Sequence, residues 1–227
     1  MKIINIIVEG RTEEAFVNEA LRDHFARFEK YVYCRKILTG WDSKGNKPSK
    51  GGLSNYMKFR NDVTRWIVEN DGRNDVFFSS FIDLYAFPKD KRSPYSKEIQ
   101  GIKEPYAKVL ALENALKADI NCPFFIPYIQ LHEFETFILV APERLKIMYP
   151  DKTGKINLLK KEIADLNVEY INDTPQKAPS KRIIKYISEY KAQKAQVGPL
   201  VAADIGIKAL RKACRHFDEW MTTIENI

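Results

Sequence analysis

Residues Ile3 to Glu14 read "IINIIVEGRTEE". A continuous β-branched run from Ile3 to Val8 is how a strand covered on both faces looks, and such strands belong to parallel sheets. The run stops at Glu9 and Gly10, after which Thr12 is placed to cap a helix with Glu13 and Glu14 in its first turn, at the positive end of the dipole. Phe16, Val17, Ala20, Leu21, Phe25 and Phe28 then recur at helical spacing. One strand, an acid at its end and a helix that turns back thus define the first unit.

The pattern repeats along the chain. "YVYCRKIL" (Tyr31 to Leu38) is a second apolar run and opens into a loop with Lys44, Lys47, Lys50, Gly51, Gly52 and Trp41. A helical pattern with Tyr56, Phe59, Val63, Trp66 and Ile67 follows. "VFFSSFID" (Val76 to Asp83) is the third strand, and a helix from about Glu104 to Ala118 is expected to bury Tyr106, Val109, Leu110 and Leu116. "FFIPYIQL" (Phe124 to Leu131) is the fourth strand. Strands alternating with helices in this order predict an α/β fold, with a mostly parallel four-stranded sheet flanked by helices over residues 1–135. From Thr136 onward the periodicity is helical, ending in Ile207, Leu210, Cys214, Phe217, Met221 and Ile224 at steps of three and four, so residues 136–227 read as a helical C-terminal subdomain.

Over 227 residues, 37 Lys plus Arg stand against 30 Asp plus Glu, a formal net charge of +7. A basic balance favours a polyanionic partner such as nucleic acid. Cys34, Cys122 and Cys214 form no CxxC pair and suggest neither a zinc finger nor a disulfide framework. "MKIINIIVEG" is too short an apolar run for a secretory signal, and no stretch approaches the length of a membrane span, so a cytoplasmic location is expected. Neither GxGxxG nor GxxxxGK[ST] occurs, which removes the usual support for a nucleotide-binding enzyme.

In a parallel sheet, working groups gather beyond the carboxyl ends of the strands. Glu9 follows strand one, Asp83 ends strand three, and His132, Glu133 and Glu135 follow strand four in "YIQLHEFETFIL". Carboxylates gathered on rigid strand ends suit Mg²⁺ or Mn²⁺, which take hard oxygen ligands and can activate water for phosphodiester cleavage. Glu9, Asp83, Glu133, Glu135 and His132 are therefore the candidate catalytic residues, with Glu9, Asp83 and Glu133 as metal ligands. Taken singly, each acid equally suits a helix cap or a solvated turn. Lys89, Lys91 and Arg92 follow strand three and are candidates for phosphate contact. In "APSKRIIKY", Ser180 precedes a helix whose first turn holds Lys181 and Arg182 against the dipole, a choice reconciled by a bound anion or by a salt bridge to Asp173 or another acid.

These residues resemble the TOPRIM fold of topoisomerases, primases and overcoming-lysogenization-defect nucleases, in which a Glu follows the first strand and an Asp-x-Asp motif ends the third. Glu9 in "IIVEGRTEE" and Asp83 in "FIDLY" match, but Tyr85 stands at the second Asp. A closer resemblance, over nearly the whole chain, is to a widespread bacterial family of unknown function with a TOPRIM-like core, carried by "VEGRTEEAF", "KGGLSNY", "DLYAFP", "YIQLHEFETFIL", "APSKRI" and "RKACRHFDEW". That resemblance implies an ABC-type ATPase partner encoded nearby and a setting in phage defence. Two functions stay open: a metal-dependent nuclease, in which Glu133 or Glu135 supplies the carboxylate absent at Tyr85, or a degenerate binding subunit that docks an ATPase or nucleic acid without cutting.

Overall fold

The computed structural model describes residues 1–37, 53, 55–171 and 175–227. The basic loop of Lys44, Lys47, Lys50, Gly51 and Gly52, together with Trp41 and Asp173, lies outside them. β1 (Lys2–Val8) leads through Gly10 into α1 (Arg11–Phe16), a π-helical turn (Val17–Leu21) and α2 (Arg22–Ala26). The cap is not Thr12: Glu13 reaches back to accept the Gly10 N–H at 2.9 Å, and Gly10 holds the extended backbone that Thr12 was expected to hold. β2 (Lys30–Lys36), α3 (Tyr56–Val68), β3 (Val76–Asp83), α4 (Lys97–Gly101) and α5 (Pro105–Ile120) complete the first half.

The fourth strand differs from expectation. It is broken into β4 (Phe125–Ile126) and β5 (Ile129–Gln130), because Pro127 has no N–H to give the ladder. Ser80 heals the break: its Oγ donates to the Tyr128 carbonyl and accepts the Tyr128 N–H, both at 3.0 Å. Both Tyr128 backbone groups are buried with that hydroxyl, so Ser80→Ala is expected to cost about 1–3 kcal/mol in urea unfolding. A change within ±0.5 kcal/mol would show that water takes over both bonds.

All strand pairs are parallel in the order β2-β1-β3-β4, with β5 also on β3. The predicted parallel α/β sheet flanked by helices is therefore present. Strand alternation feeds two cores. Ile7, Phe78 and Ile82 pack with Phe59, Trp66 and Leu112 from α3 and α5 on one face. Ile4, Ile6, Val8 and Phe81 pack on the other with Phe16 and Phe25, and with residues from the second half of the chain. That half comprises α6 (Thr136–Val140), α7 (Thr153–Ile163), α8 (Pro179–Tyr186), α9 (Tyr190–Ile205), α10 (Ile207–Ala213) and α11 (Arg215–Glu225). Phe217, Trp220 and Met221 of α11 enter the same core as β1 and β3, with the Trp220 indole 4.4 Å from the Tyr128 ring and donating to Ser79. The stripe from Ile207 to Ile224 is two helices broken at Cys214, which is extended. Leu110 and Phe28, expected inside, are exposed.

α9 is seated against α1 by Gly198. A Cβ there would come within 3.3 Å of Thr12 and of the Tyr190 hydroxyl, so a larger residue would have to push these side chains aside by a few tenths of an ångström. This contact matters because α9 carries Tyr190 and Lys194 to the sheet's carboxyl edge. Among the described residues no helix is long and apolar enough to cross a membrane.

Candidate functional site

Register brings the predicted acids together. Val8 pairs with Phe81, so Glu9 lies level with Ile82 and one step from Asp83, while Asp83 is opposite Gln130, two residues before His132. Glu9 and Asp83 each carry one carboxylate oxygen, Oε2 and Oδ1, that is sealed from solvent with no hydrogen-bond partner. The Leu53 N–H donates to the other Glu9 oxygen at 3.4 Å. Unpartnered buried carboxylate oxygens are costly and rare.

Electrostatics adds a member whose expected role was only to sit at the positive end of a helix dipole. Glu13, buried at 6% exposure, has its pKa pushed up to about 7, first by burial and then by the charges of Glu9 and Glu135. Asp83 is raised well above the usual range by burial and then by Glu13, Glu9, Glu135 and Glu133. Burial also raises Glu9, against the backbone N–H groups of Leu53 and Asp83. Five carboxylates thus repel one another across one edge of the sheet. The available signal for Glu13 was its spacing: four residues after Glu9, one helical turn brings it back toward the strand end.

Glu135 is raised by burial and partly offset by Lys194, whose Nζ lies 3.1 Å from its Oε1; the Tyr190 hydroxyl donates to the same oxygen at 3.2 Å. Glu133 accepts the Ser180 N–H at 2.9 Å. A carboxylate of the chain itself, Glu133, thus sits at the start of the "APSKRI" helix. α8 begins at Pro179, so Ser180 is inside it rather than before it. Arg182 is buried, with Nη1 2.8 Å from Glu162 and Nε donating to the Lys177 carbonyl, the salt bridge to an acid that was the alternative to a bound anion. Lys181 is exposed beside it.

His132 sits at the turn out of β5 with φ +67°, a left-handed conformation uncommon for a non-glycine residue. Its Nε2 donates to the Glu169 carbonyl at 2.9 Å, and its Nδ1 is buried without a partner. Burial lowers its pKa to about 4, so it is neutral near pH 7. Its carbonyl accepts the Tyr85 N–H, and the Tyr85 ring lies 6.0 Å from its own. Of the expected basic residues, Lys89, Lys91 and Arg92 lie in the loop after β3, with Lys89 and Lys91 exposed and Lys89 Nζ 5.6 Å from the Tyr95 ring.

These donors suit a hard divalent cation: carboxylates only, two of them with orphaned oxygens, and an excess of negative charge with one lysine among them. Among the described residues no three acidic, histidine or cysteine side chains already converge on a point that an ion could occupy. Fold and site together define a parallel α/β protein with a buried acidic centre at the carboxyl edge of its sheet. Residues 8–225 match the family described as a domain of unknown function (DUF4276), and the chain belongs to that family. No curated protein and no solved structure matches it.

Proposed function

We propose that the carboxyl-edge centre binds Mg²⁺ or Mn²⁺ and hydrolyses phosphodiester bonds of nucleic acid. The observation that carries this reading is the pair of buried, partnerless oxygens on Glu9 and Asp83 among like charges, an arrangement that a divalent cation would stabilise. Glu9, Asp83 and Glu133 would hold the ion, which supplies Lewis acidity toward a phosphoryl oxygen and lowers the pKa of water. Glu13, titrating near neutral pH, is placed to take a proton from an attacking water. Glu135, fixed by Lys194 and Tyr190, sets the charge of the centre. Tyr85 does not replace a carboxylate, since a neutral phenol is a poor hard ligand; Glu133 on the neighbouring strand end is the substitute. Resemblance further supports a role as the effector of a phage-defence system with an ABC-type ATPase partner.

A second reading, a regulatory subunit that docks such an ATPase or nucleic acid without cutting, is favoured by one feature. Lys194 and the Ser180 N–H already occupy oxygens of Glu135 and Glu133. Incubating the purified protein with DNA and RNA plus Mg²⁺ or Mn²⁺, with and without the ATPase, separates the two. Metal-dependent cleavage is expected; intact substrate in every combination would favour the docking role.

A further inference from the structure

We propose that the acidic edge receives an unpaired nucleic-acid strand, with Tyr85 as the stacking platform for a base and Lys103 and Lys108, beside Lys89, as contacts to its phosphates. This rests on the phosphodiester reading above and specifies its substrate.

Tyr85 is 39% exposed and lies two residues beyond Asp83. It is held in place by its N–H bond to the His132 carbonyl at 3.2 Å and by the ring contact with His132. A stacked base would therefore be fixed at the turn that follows Asp83. Stacking of this kind needs a base with a free face, which an unpaired strand offers and a duplex does not.

The lysines reach the same edge because α5 runs back along the sheet after β3, with its first turn at the strands' carboxyl ends. That turn is tied to the site. Tyr106 donates its hydroxyl to Glu169, and the Glu169 carbonyl accepts from His132. Lys108 lies two residues beyond Tyr106 and Lys103 just before the helix. The three lysines feel one another: burial and then the charges of Lys103 and Lys89 push the pKa of Lys108 down. Like charges gathered this closely gain from an anion between them. Depth argues the same way. Glu13 and Glu135 are 6% and 4% exposed, and the free oxygens of Glu9 and Asp83 are sealed. A flexible single strand can bend its backbone into such a recess, whereas duplex phosphates are held on the rim of a stiff cylinder.

The test is fluorescence anisotropy in EDTA, with labelled single-stranded DNA and RNA oligonucleotides and with their duplexes, across a salt series. Single strands are expected to bind at least about tenfold tighter than duplexes. Tyr85→Ala is expected to weaken single-strand binding about tenfold, with Tyr85→Trp restoring it. Combining Lys103→Gln with Lys108→Gln is expected to flatten the log–log salt slope by about 0.7 per lost contact. Duplex binding as tight as single-strand binding, no binding of either, or an unchanged affinity in Tyr85→Ala with an unchanged slope in the lysine variant would overturn the proposal. Because EDTA prevents cleavage, a protein that binds single strands yet never cuts them would count against hydrolysis alone and leave the strand preference standing.

Discussion

Asp83→Asn is expected to lower Mg²⁺- or Mn²⁺-dependent cleavage of nucleic acid by about 10²- to 10³-fold while leaving the fold as stable as before, or more so, in EDTA. The two halves of the result come from one cause. Asp83 is where burial and four neighbouring carboxylates meet, so its ionised form is destabilising. The amide keeps the shape and discards the charge. Loss of a carboxylate ligand removes charge stabilisation worth several kcal/mol in a metal-assisted reaction. Glu9→Gln should behave alike, since its Oε2 is orphaned in the same way. Stabilising substitutions at a functional centre are the usual sign of strain kept for activity. If Asp83→Asn instead melted the protein while cleavage per folded molecule stayed unchanged, the carboxylate would be a structural group.

The second large effect concerns pH. Glu13 has a folded-state pKa near 7 against an ordinary 4.5, so the folded protein holds its proton more tightly than the unfolded chain. Stability from this group is then full below about pH 4.5 and is lost as pH rises to 7 and beyond. A gap of about 2.5 pH units corresponds to about 3 kcal/mol. Glu13→Gln keeps an oxygen for the Gly10 N–H and cannot ionise. It should match wild type in urea unfolding at pH 4.5 and exceed it by up to about 3 kcal/mol at pH 8, both in EDTA. Comparing variant with wild type cancels the opposing contribution of His132, whose depressed pKa costs stability as pH falls from 6.5 toward 4. Equal stabilities at pH 8 would mean that Glu13 ionises freely.

Much of the sheet could be read from local chemistry. β3 spans Val76–Asp83 as the apolar run predicts, and Glu9 and Asp83 share an edge because parallel strands end on one side. The fourth strand reads as one run in the sequence, although Pro127, which has no N–H to give a ladder, was there to signal its break. What else escaped was long-range. Only folding brings Lys194 of α9 to Glu135, and Ser180 of α8 to Glu133, across dozens of residues. Helical periodicity shows that α11 has an apolar face but not that Phe217 and Trp220 cover β1 and β3. Glu13 looked like a dipole-stabilising acid because one helix turn explains it locally, and its second role depends on the neighbours that burial supplies.

Calorimetric titration of Mn²⁺ into the protein at pH 7 bears most directly on the carboxyl-edge centre. A saturable site is expected, lost in Glu9→Gln and in Asp83→Asn, with heats that vary with the buffer because binding releases protons held by Glu13 and Asp83. Absence of saturable binding, or binding that survives both substitutions unchanged, would contradict a metal centre at this edge.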